Sequence, residues 1–464
     1  MSDNGRDGGE ILESREELRS TLQEIMSSPE WERRLPEFLD PLHPADIAEF
    51  IEYLDDEDRR RIILALPVKK AALTVEEMEP EVQSRILHHV SDRQAARILD
   101  EMSDDDIADL LGEISPQEAA DILELLEDEE AADVQELLEY LRDSAGGIMT
   151  TDVMALDEEM SAEEAIGVLR TTTPDAETVY YLYIINRESQ LTGVLSLREL
   201  IVAPPSARLR ELMNPSVISV QAQTDQEEVA KLVAKYDLLA VPVVDARNRL
   251  LGIITVDDVL DVIEEEVSED FYRISGTVPH EGEGITVDMA LPEKARRRLP
   301  WLMGLLIGHL FTGRVISEFE EILQSVVALA YFIPVLMDMG GNVGTQSLAM
   351  VVRGLATGRI HARRLVWAIF REAQTGLVLG AILGVSIAFI SFIWQGSATL
   401  GLVVGISMAV TVFSAAVMGT FIPLFLDYIG IDSAVASGPF ITTVIDIASL
   451  IIYFVLATIM LNGL

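Results

Sequence analysis

Residues 436–460 read ASGPFITTVIDIASLIIYFVLATIM, and this stretch decides the architecture. It is long and apolar enough to cross a bilayer as a helix, for which about 20 residues suffice. Its one acidic or basic side chain is Asp446. A carboxylate at the centre of hydrocarbon costs about 2.5–3.5 kcal/mol on insertion scales, so Asp446 should face water, a cation or a protein partner. Thr442 and Thr443, one turn earlier, and Ser449, nearly one turn later, give that face a polar stripe. The stripe favours an ion site over a protonated Asp hydrogen-bonded between helices.

Working back along the chain, apolar runs at about 326–352, 365–394 and 399–426 also have spanning length. Trp301–Phe311, continued by a more polar segment with Arg314 and Glu318, supplies a first span, giving five. A basic collar, Lys294 and Arg296–Arg298, precedes it. Arg353, Arg359, Arg363, Arg364 and Arg371 cluster between the second and third spans, and the C-terminus has no Lys or Arg. Basic residues mark the cytosolic side, so the N-terminal half is expected in the cytosol and the C-terminus outside. The fourth-to-fifth loop departs from that rule: it falls on the cytosolic side yet carries Asp427 and Asp432 and no basic residue.

The second span contains PVLMDMGGNVGTQS, residues 334–347. Gly340, Gly341 and Gly344 permit close helix approach or a locally opened backbone. Helix packing accounts for glycines, but not for Asn342, Thr345 and Gln346 beside them. Uncharged oxygens suit a hard cation that keeps most of its water, as Mg2+ does.

The other half of the chain is acidic. Of 77 acidic and 34 basic residues, 12 and 11 fall from Phe271 onward, which leaves residues 1–270 with 65 and 23, a net charge of −42. Such an excess draws in cations and argues against nucleic acid and anionic headgroups as partners. There is no cysteine, hence no disulfide and no thiolate metal site. The N-terminus lacks the basic and apolar regions of a signal peptide and is expected to stay cytosolic. No phosphate-binding G-x-x-x-x-G-K-[ST] loop, nucleophile elbow or His-Glu zinc motif is present, so no enzyme is expected.

From Leu42 to Tyr140 the sequence repeats loosely about every 24 residues. Apolar residues recur at helical spacing (Ile47, Phe50, Ile51, Leu54; Ile107, Leu110, Leu111, Ile114), and each unit breaks at an Asp, Ser or Pro cluster able to cap the next helix. Short stacked helices of this kind form a superhelix; a plain helical bundle fits the same pattern. Near Gly146 the pattern changes to alternating strands and helices in two copies. AVPVVD (240–245) and the G-x-x-[ST]-x-x-[DE] sets Gly252, Thr255, Asp258 and Gly193, Ser196, Glu199 resemble a tandem pair of CBS domains. In such pairs those positions can hold an adenine nucleotide such as ATP, which makes Thr255, Asp258 and Ser196 candidate nucleotide contacts. The acidic residues crowding them oppose a phosphate.

Taken together, PVLMDMGGNVGTQS, RGLATG at Arg353–Gly358 and GPFITTVID at Gly438–Asp446 resemble the MgtE family of magnesium channels and transporters, from about Pro36 to the end. The resemblance implies a multidomain, mainly α protein. Its parts are a polar lead-in and short helix (1–35), an acidic helical superhelix (36–145), α/β CBS domains (146–207 and 208–268), a connecting, plug-type helix region (269–298) and a five-helix transmembrane domain (299–464). It implies a multi-pass protein of the inner or plasma membrane, a homodimer with the pore on its axis, and Mg2+ uptake that cytosolic Mg2+ shuts off. Asp446 becomes the pore ligand; read from the residues of the two spans, Asn342, Gly341, Thr442, Thr443 and Asp338 join it as pore ion-binding candidates, the resemblance being silent on Asp338. The run VDDVLDVIEEEVSED (256–270) matches the family's acidic exit helix, giving Asp258, Asp261, Glu264, Glu266 and Glu269 as regulatory metal ligands, with Asp432 at the pore mouth. Two positions depart from the family pattern: Ser433 replaces a Pro, and Asp338 stands where a small residue is usual. A transporter coupled to H+ or Na+, and a membrane-anchored nucleotide sensor, are the alternative readings.

Many carboxylates held close together repel, by about 1–4 kcal/mol per close pair at effective dielectrics of 80 to 20. Bridging divalent ions would cancel that repulsion.

Overall fold

A computed structural model describes residues 20–22, 24–51, 54–172, 180–277, 291–357, 360 and 365–461. Most of the lead-in, and Gly358, Arg359, Arg363 and Arg364, lie outside the described residues. The chain divides into two compact units, Met1–Val262 and Ile263–Leu464.

The first unit begins with short helices: α1 (Trp31–Leu39), α2 (Pro44–Ile51), α3 (Asp56–Ala65), α4 (Val68–Glu76), α5 (Pro80–His89), α6 (Asp92–Leu99), α7 (Asp104–Glu113), α8 (Pro116–Leu123) and α9 (Asp128–Leu137). The expected caps end them. Asp55 accepts the Asp58 amide at 2.9 Å, and Ser115 and Glu118 exchange hydrogen bonds ahead of Pro116 in a capping box. The predicted periodic residues turn inward: Ile47, Phe50, Ile51, Ile107, Leu110 and Leu111 are buried, and Leu54 and Ile114 pack at the edge of the same core. Helices pack on those two places along, α2 on α4, α3 on α5, α4 on α6, α5 on α7 and α7 on α9. That stacking is the superhelix rather than the bundle.

The two α/β copies share one topology. β1 (Ala155–Asp157), α10 (Ala162–Thr172), β2 (Tyr181–Ile185), β3 (Leu191–Ser196) and the short α11 (Leu197–Val202) and α12 (Leu209–Leu212) form the first. β4 (Val220–Gln221), α13 (Gln226–Tyr236), β5 (Ala240–Val244), β6 (Leu250–Thr255) and the long α14 (Val256–Ile274) form the second. In each sheet the first strand runs parallel to the second, which pairs antiparallel with the third (Tyr181↔Ser196; Ala240↔Thr255). The copies join at their hairpin turns, where the Leu191 amide donates to the Asn248 carbonyl at 2.9 Å and Asn248 Nδ2 returns to the Leu191 carbonyl at 2.8 Å. The superhelix core runs on without a break into Val241, Val243, Ile254, Val259 and Val262 of the second copy. The first copy keeps its own core around Leu156, Leu182, Ile184 and Leu195.

In the second unit, α15 (Leu291–Glu318) is followed by α16 (Glu320–Ser325), a 3-10 turn (Val327–Phe332), α17 (Ile333–Ala356), α18 (Leu365–Gln395), α19 (Ala398–Tyr428) and α20 (Gly438–Leu461). Among the described residues five helical segments have the length and apolarity to span a membrane: Lys294–Glu318, Val327–Ala356, Leu365–Gln395, Ala398–Tyr428 and Gly438–Leu461. The four later runs fall within a few residues of expectation. The basic collar, Lys294 and Arg296–Arg298, precedes Trp301 and forms the opening turns of α15. Arg314 and Glu318 pair one turn apart, which neutralises the polar end of that helix.

Small residues set the spacing. A Cβ on Gly384 would sit 2.6 Å from the Gly405 carbonyl, so α18 and α19 meet backbone to backbone. The core lies among α17, α19 and α20, with Leu336, Val404, Met408, Ile441 and Ile445 buried and Tyr453 donating its hydroxyl to the Leu329 carbonyl at 2.9 Å.

Candidate ion sites

α17 runs helically through Met339–Gly344, so its glycines serve close approach and not an opened backbone. A Cβ on Gly341 would meet the Thr442 methyl at 2.9 Å, and one on Gly340 would meet Ser449 Oγ at 2.9 Å. This brings the α17 glycine face against the α20 stripe. Asp446 is 5% exposed and its Oδ1 has no hydrogen-bond partner. Thr442 and Thr443 each donate to a carbonyl one turn back, at Gly438 and Pro439, both at 2.9 Å, which leaves their oxygens as acceptors only. Asp338, Asn342 and Gln346 form an exposed stripe on α17 at intervals of one turn. Asn342 Nδ2 donates to Asp338 Oδ2 at 3.1 Å. In a segment of spanning length such a stripe needs water or a second protein surface beside it.

Among the described residues, His309 of α15 and Asp338 are the ionisable groups within electrostatic reach of Asp446. His309 was not singled out from the sequence, although its place inside an apolar span is the signal that identified Asp446. Glu372 was missed in the same way; it sits in α18 and accepts from the nearly buried Ser347 hydroxyl at 2.9 Å.

The first unit holds a second concentration of carboxylates. α7 begins Asp104-Asp105-Asp106, and its first turn faces the end of α4 and the first turns of α14. Asp258 feels Asp105, and Asp106 feels Asp261, Glu77 and Glu76. Burial, with Asp106 beside it, pushes Glu76 up to about 7. Burial and Asp105 push Asp106 up to about 6, and burial and Asp105 likewise carry Asp258 to about 7 against the lowering bond from Thr255. Asp105 is nearly buried, and its Oδ1 lacks a partner. Hard oxygen donors with unmet electrostatic demand suit hard divalent ions such as Mg2+, Ca2+ or Mn2+. The α7 acids were missed because nothing local joins them to α14; the triple Asp at a helix start reads simply as dipole compensation.

Of the other regulatory candidates, Asp261 and Glu264 are exposed on α14 and Glu266 is half-buried. Glu269 and Asp432 converge on one cation, Arg273, which pairs with both. Asp432 also caps the turn after α19, accepting the Ala434 amide at 2.8 Å. Thr255 and Asp258 form a helix cap, Thr255 donating its hydroxyl and amide to Asp258 Oδ2 at 2.5 and 3.0 Å. Ser196 and Glu199 repeat that cap on α11. A shallow cavity of about 450 Å³ in the α/β pair is lined by Tyr180, Tyr181, Ser196, Arg198, Ile201 and Leu239, among others. Ser196 lines it; Thr255 and Asp258 do not. Among the described residues no three His, Asp or Glu side chains form a ready-made metal cage.

Five spans with a buried carboxylate at a polar seam, joined to an acidic helical and α/β half, define a multi-pass membrane protein built to handle cations. Known proteins agree. The family described as divalent cation transporter, MgtE, matches residues 333–456, the MgtE intracellular N domain matches 42–143, and CBS domains match 145–206 and 209–265. The magnesium transporter MgtE of Bacillus subtilis is 41% identical over 92% of this chain and 94% of its own. That of Thermus thermophilus is 37% identical over 97% and 99%. A crystal structure of the cytosolic domain of the Mg2+ channel MgtE in complex with ATP is 42% identical and covers 53% of this chain and 99% of its own, with a TM-score of 0.51. The chain belongs to the MgtE family of magnesium transporters.

Proposed function

We propose that this protein is a channel for Mg2+ uptake whose cytosolic acids, bridged by Mg2+, hold it closed. The observation that carries the gating half is the facing of Asp104–Asp106 and Glu76 by Asp258 and Asp261. Held together without cations these acids are under-ionised or in repulsion. A divalent ion bound between the two elements would remove both costs and favour the docked arrangement. Asp446 is the proposed pore ligand, binding hydrated Mg2+ with the oxygens of Asn342, Thr442 and Thr443 nearby. The working unit is a homodimer with Asp446 near its axis, which would cover the Asp338–Asn342–Gln346 stripe. The N-terminal half lies in the cytosol of the inner or plasma membrane and the C-terminus outside.

A relative bound to ATP supports an adenine nucleotide at the CBS pair. The Tyr180–Leu239 cavity suits it best, with the tyrosine rings for the base and Arg198 for phosphate; Thr255 and Asp258 then serve as a cap, not as nucleotide contacts. The test of the main reading is Mg2+ uptake into proteoliposomes with and without millimolar Mg2+ on the cytosolic face. Uptake unaffected by that Mg2+ refutes the gating. Uptake no faster than the turnover of a conformational cycle, about 10³ ions per second, with a strict H+ or Na+ requirement, refutes the channel.

A further inference from the structure

α15 lies against α20 most closely at Gly308, where a Cβ would stand 2.7 Å from the Thr443 methyl. That contact sets the next residue, His309, beside the Asp446 face of α20. Its Nδ1 is 3.1 Å from the Leu305 carbonyl and 3.4 Å from Thr443 Oγ1, whose own hydrogen goes to Pro439. A carbonyl only accepts, so Nδ1 carries the proton, and in the neutral ring Nε2 keeps its lone pair. An imidazole anchored by N–H to a backbone carbonyl, with the other nitrogen free, is the form in which histidine binds metals. The ring is exposed within the unit, so Nε2 is not consumed by packing. One turn past Thr443, the carboxylate of Asp446 is buried with its Oδ1 unpartnered, and His309 is within its electrostatic reach.

We infer that His309 and Asp446 together form a two-ligand site, completed by water, for a borderline divalent transition ion of the Ni2+ or Co2+ class. The inference rests on the reading of Asp446 as part of the ion path. Mg2+ gains little from an imidazole nitrogen, whereas Ni2+ and Co2+ gain much. Such ions therefore occupy the path more tightly than Mg2+ and block it competitively.

The experiment measures Mg2+ uptake into proteoliposomes of the full chain against rising Ni2+, with Ca2+ as the oxygen-preferring control. Ni2+ should half-inhibit the wild type at a concentration at least tenfold below that of Ca2+. His309→Gln should raise the Ni2+ value at least tenfold relative to the Mg2+ concentration that half-saturates the same variant, and leave the Ca2+ ratio unmoved. Equal Ni2+ and Ca2+ values in the wild type overturn the inference with no variant needed. An unchanged Ni2+ ratio in His309→Gln also overturns it, provided Asp446→Ala stops Mg2+ uptake. If Asp446→Ala transports normally, the underlying assignment of Asp446 fails, and this site fails with it.

Discussion

Arg273, near the end of α14, pairs with Asp432 in the turn between α19 and α20, 159 positions later, and with Glu269 on its own helix. The acidic loop that breaks the positive-inside pattern thus receives its cation from another segment. The pair is about one-third exposed, which limits it to about 0.2–1 kcal/mol. If this contact belongs to the closed state, Arg273→Gln should raise the Mg2+ concentration for half-closure up to about fivefold. The exchange Arg273→Asp with Asp432→Arg should restore most of it. Uptake inhibition curves that coincide for wild type and Arg273→Gln would remove the pair from gating.

Asp446→Ala should reduce uptake to the level of empty liposomes while the protein elutes as the wild type does on size exclusion. Its carboxylate is the one ionisable group of α20 apart from the Tyr453 phenol. Asp446→Asn separates charge from geometry: loss equal to Ala means charge sets the site, and substantial retained uptake means hydration geometry does.

The acids at the α7–α14 contact give a pH signature of definite sign. Their carboxyls are raised toward 6–7 when docked, and carboxyls released to water return to about 4. The docked form therefore binds more protons between those limits. Its stability is full below about pH 4 and is lost as pH rises through 6–7. Without Mg2+, protease protection of residues 1–270 should be stronger at about pH 5.5 than at about pH 8, and millimolar Mg2+ should restore it at the higher pH. Protection independent of pH would show that these acids do not face one another in solution.

Neutralising the same contact tests ligands against mere repulsion. With Asp105, Asp258 and Asp261 all changed to Asn, repulsion disappears, but so do the oxygen donors that hold Mg2+. Because bridging needs the carboxylates, closure by Mg2+ should be lost and uptake should persist at millimolar Mg2+. A triple variant that is shut at every Mg2+ concentration would mean that charge relief alone closes the pore. Asp258→Asn also weakens the cap on α14, a cost of about 1 kcal/mol, so thermal unfolding of the variant must be measured beside uptake.

What was legible in the sequence was whatever is written locally. Spanning helices are a matter of length and apolarity, and the repeats show themselves by helical spacing and caps. The Thr255–Asp258 and Ser196–Glu199 pairs were legible too, as [ST]-x-x-[DE] capping boxes at the start of a helix. Juxtapositions were not legible. Asp105 and Asp258, or Arg273 and Asp432, share no period or spacing, and only the folded chain brings them within reach. The glycines of the second span belong to packing because the Thr442, Ser449 and Ile445 side chains fill the space beside them, which no local pattern records.

Asp338 is one of the two positions read from the sequence as departing from the family pattern. It holds the Asn342 amide at 3.1 Å and lies within electrostatic reach of Asp446. Both relations bear on a cation in the path. The carboxylate attracts a divalent ion by about 1–2 kcal/mol at roughly 8–16 Å and an effective dielectric of about 40, between that of a protein surface and that of water. By engaging the amide nitrogen it also leaves the Asn342 oxygen free to face water. Asp338→Gly should therefore raise the half-saturating Mg2+ concentration about 5- to 30-fold while leaving maximal uptake equal or higher, since an ion held less tightly leaves sooner. Asp338→Asn keeps the side-chain volume and separates the two effects, because any loss it shares with Gly belongs to the charge. Uptake curves for Asp338→Gly that overlay the wild type would place Asp338 outside the ion path, as a helix-surface residue whose role ends at Asn342.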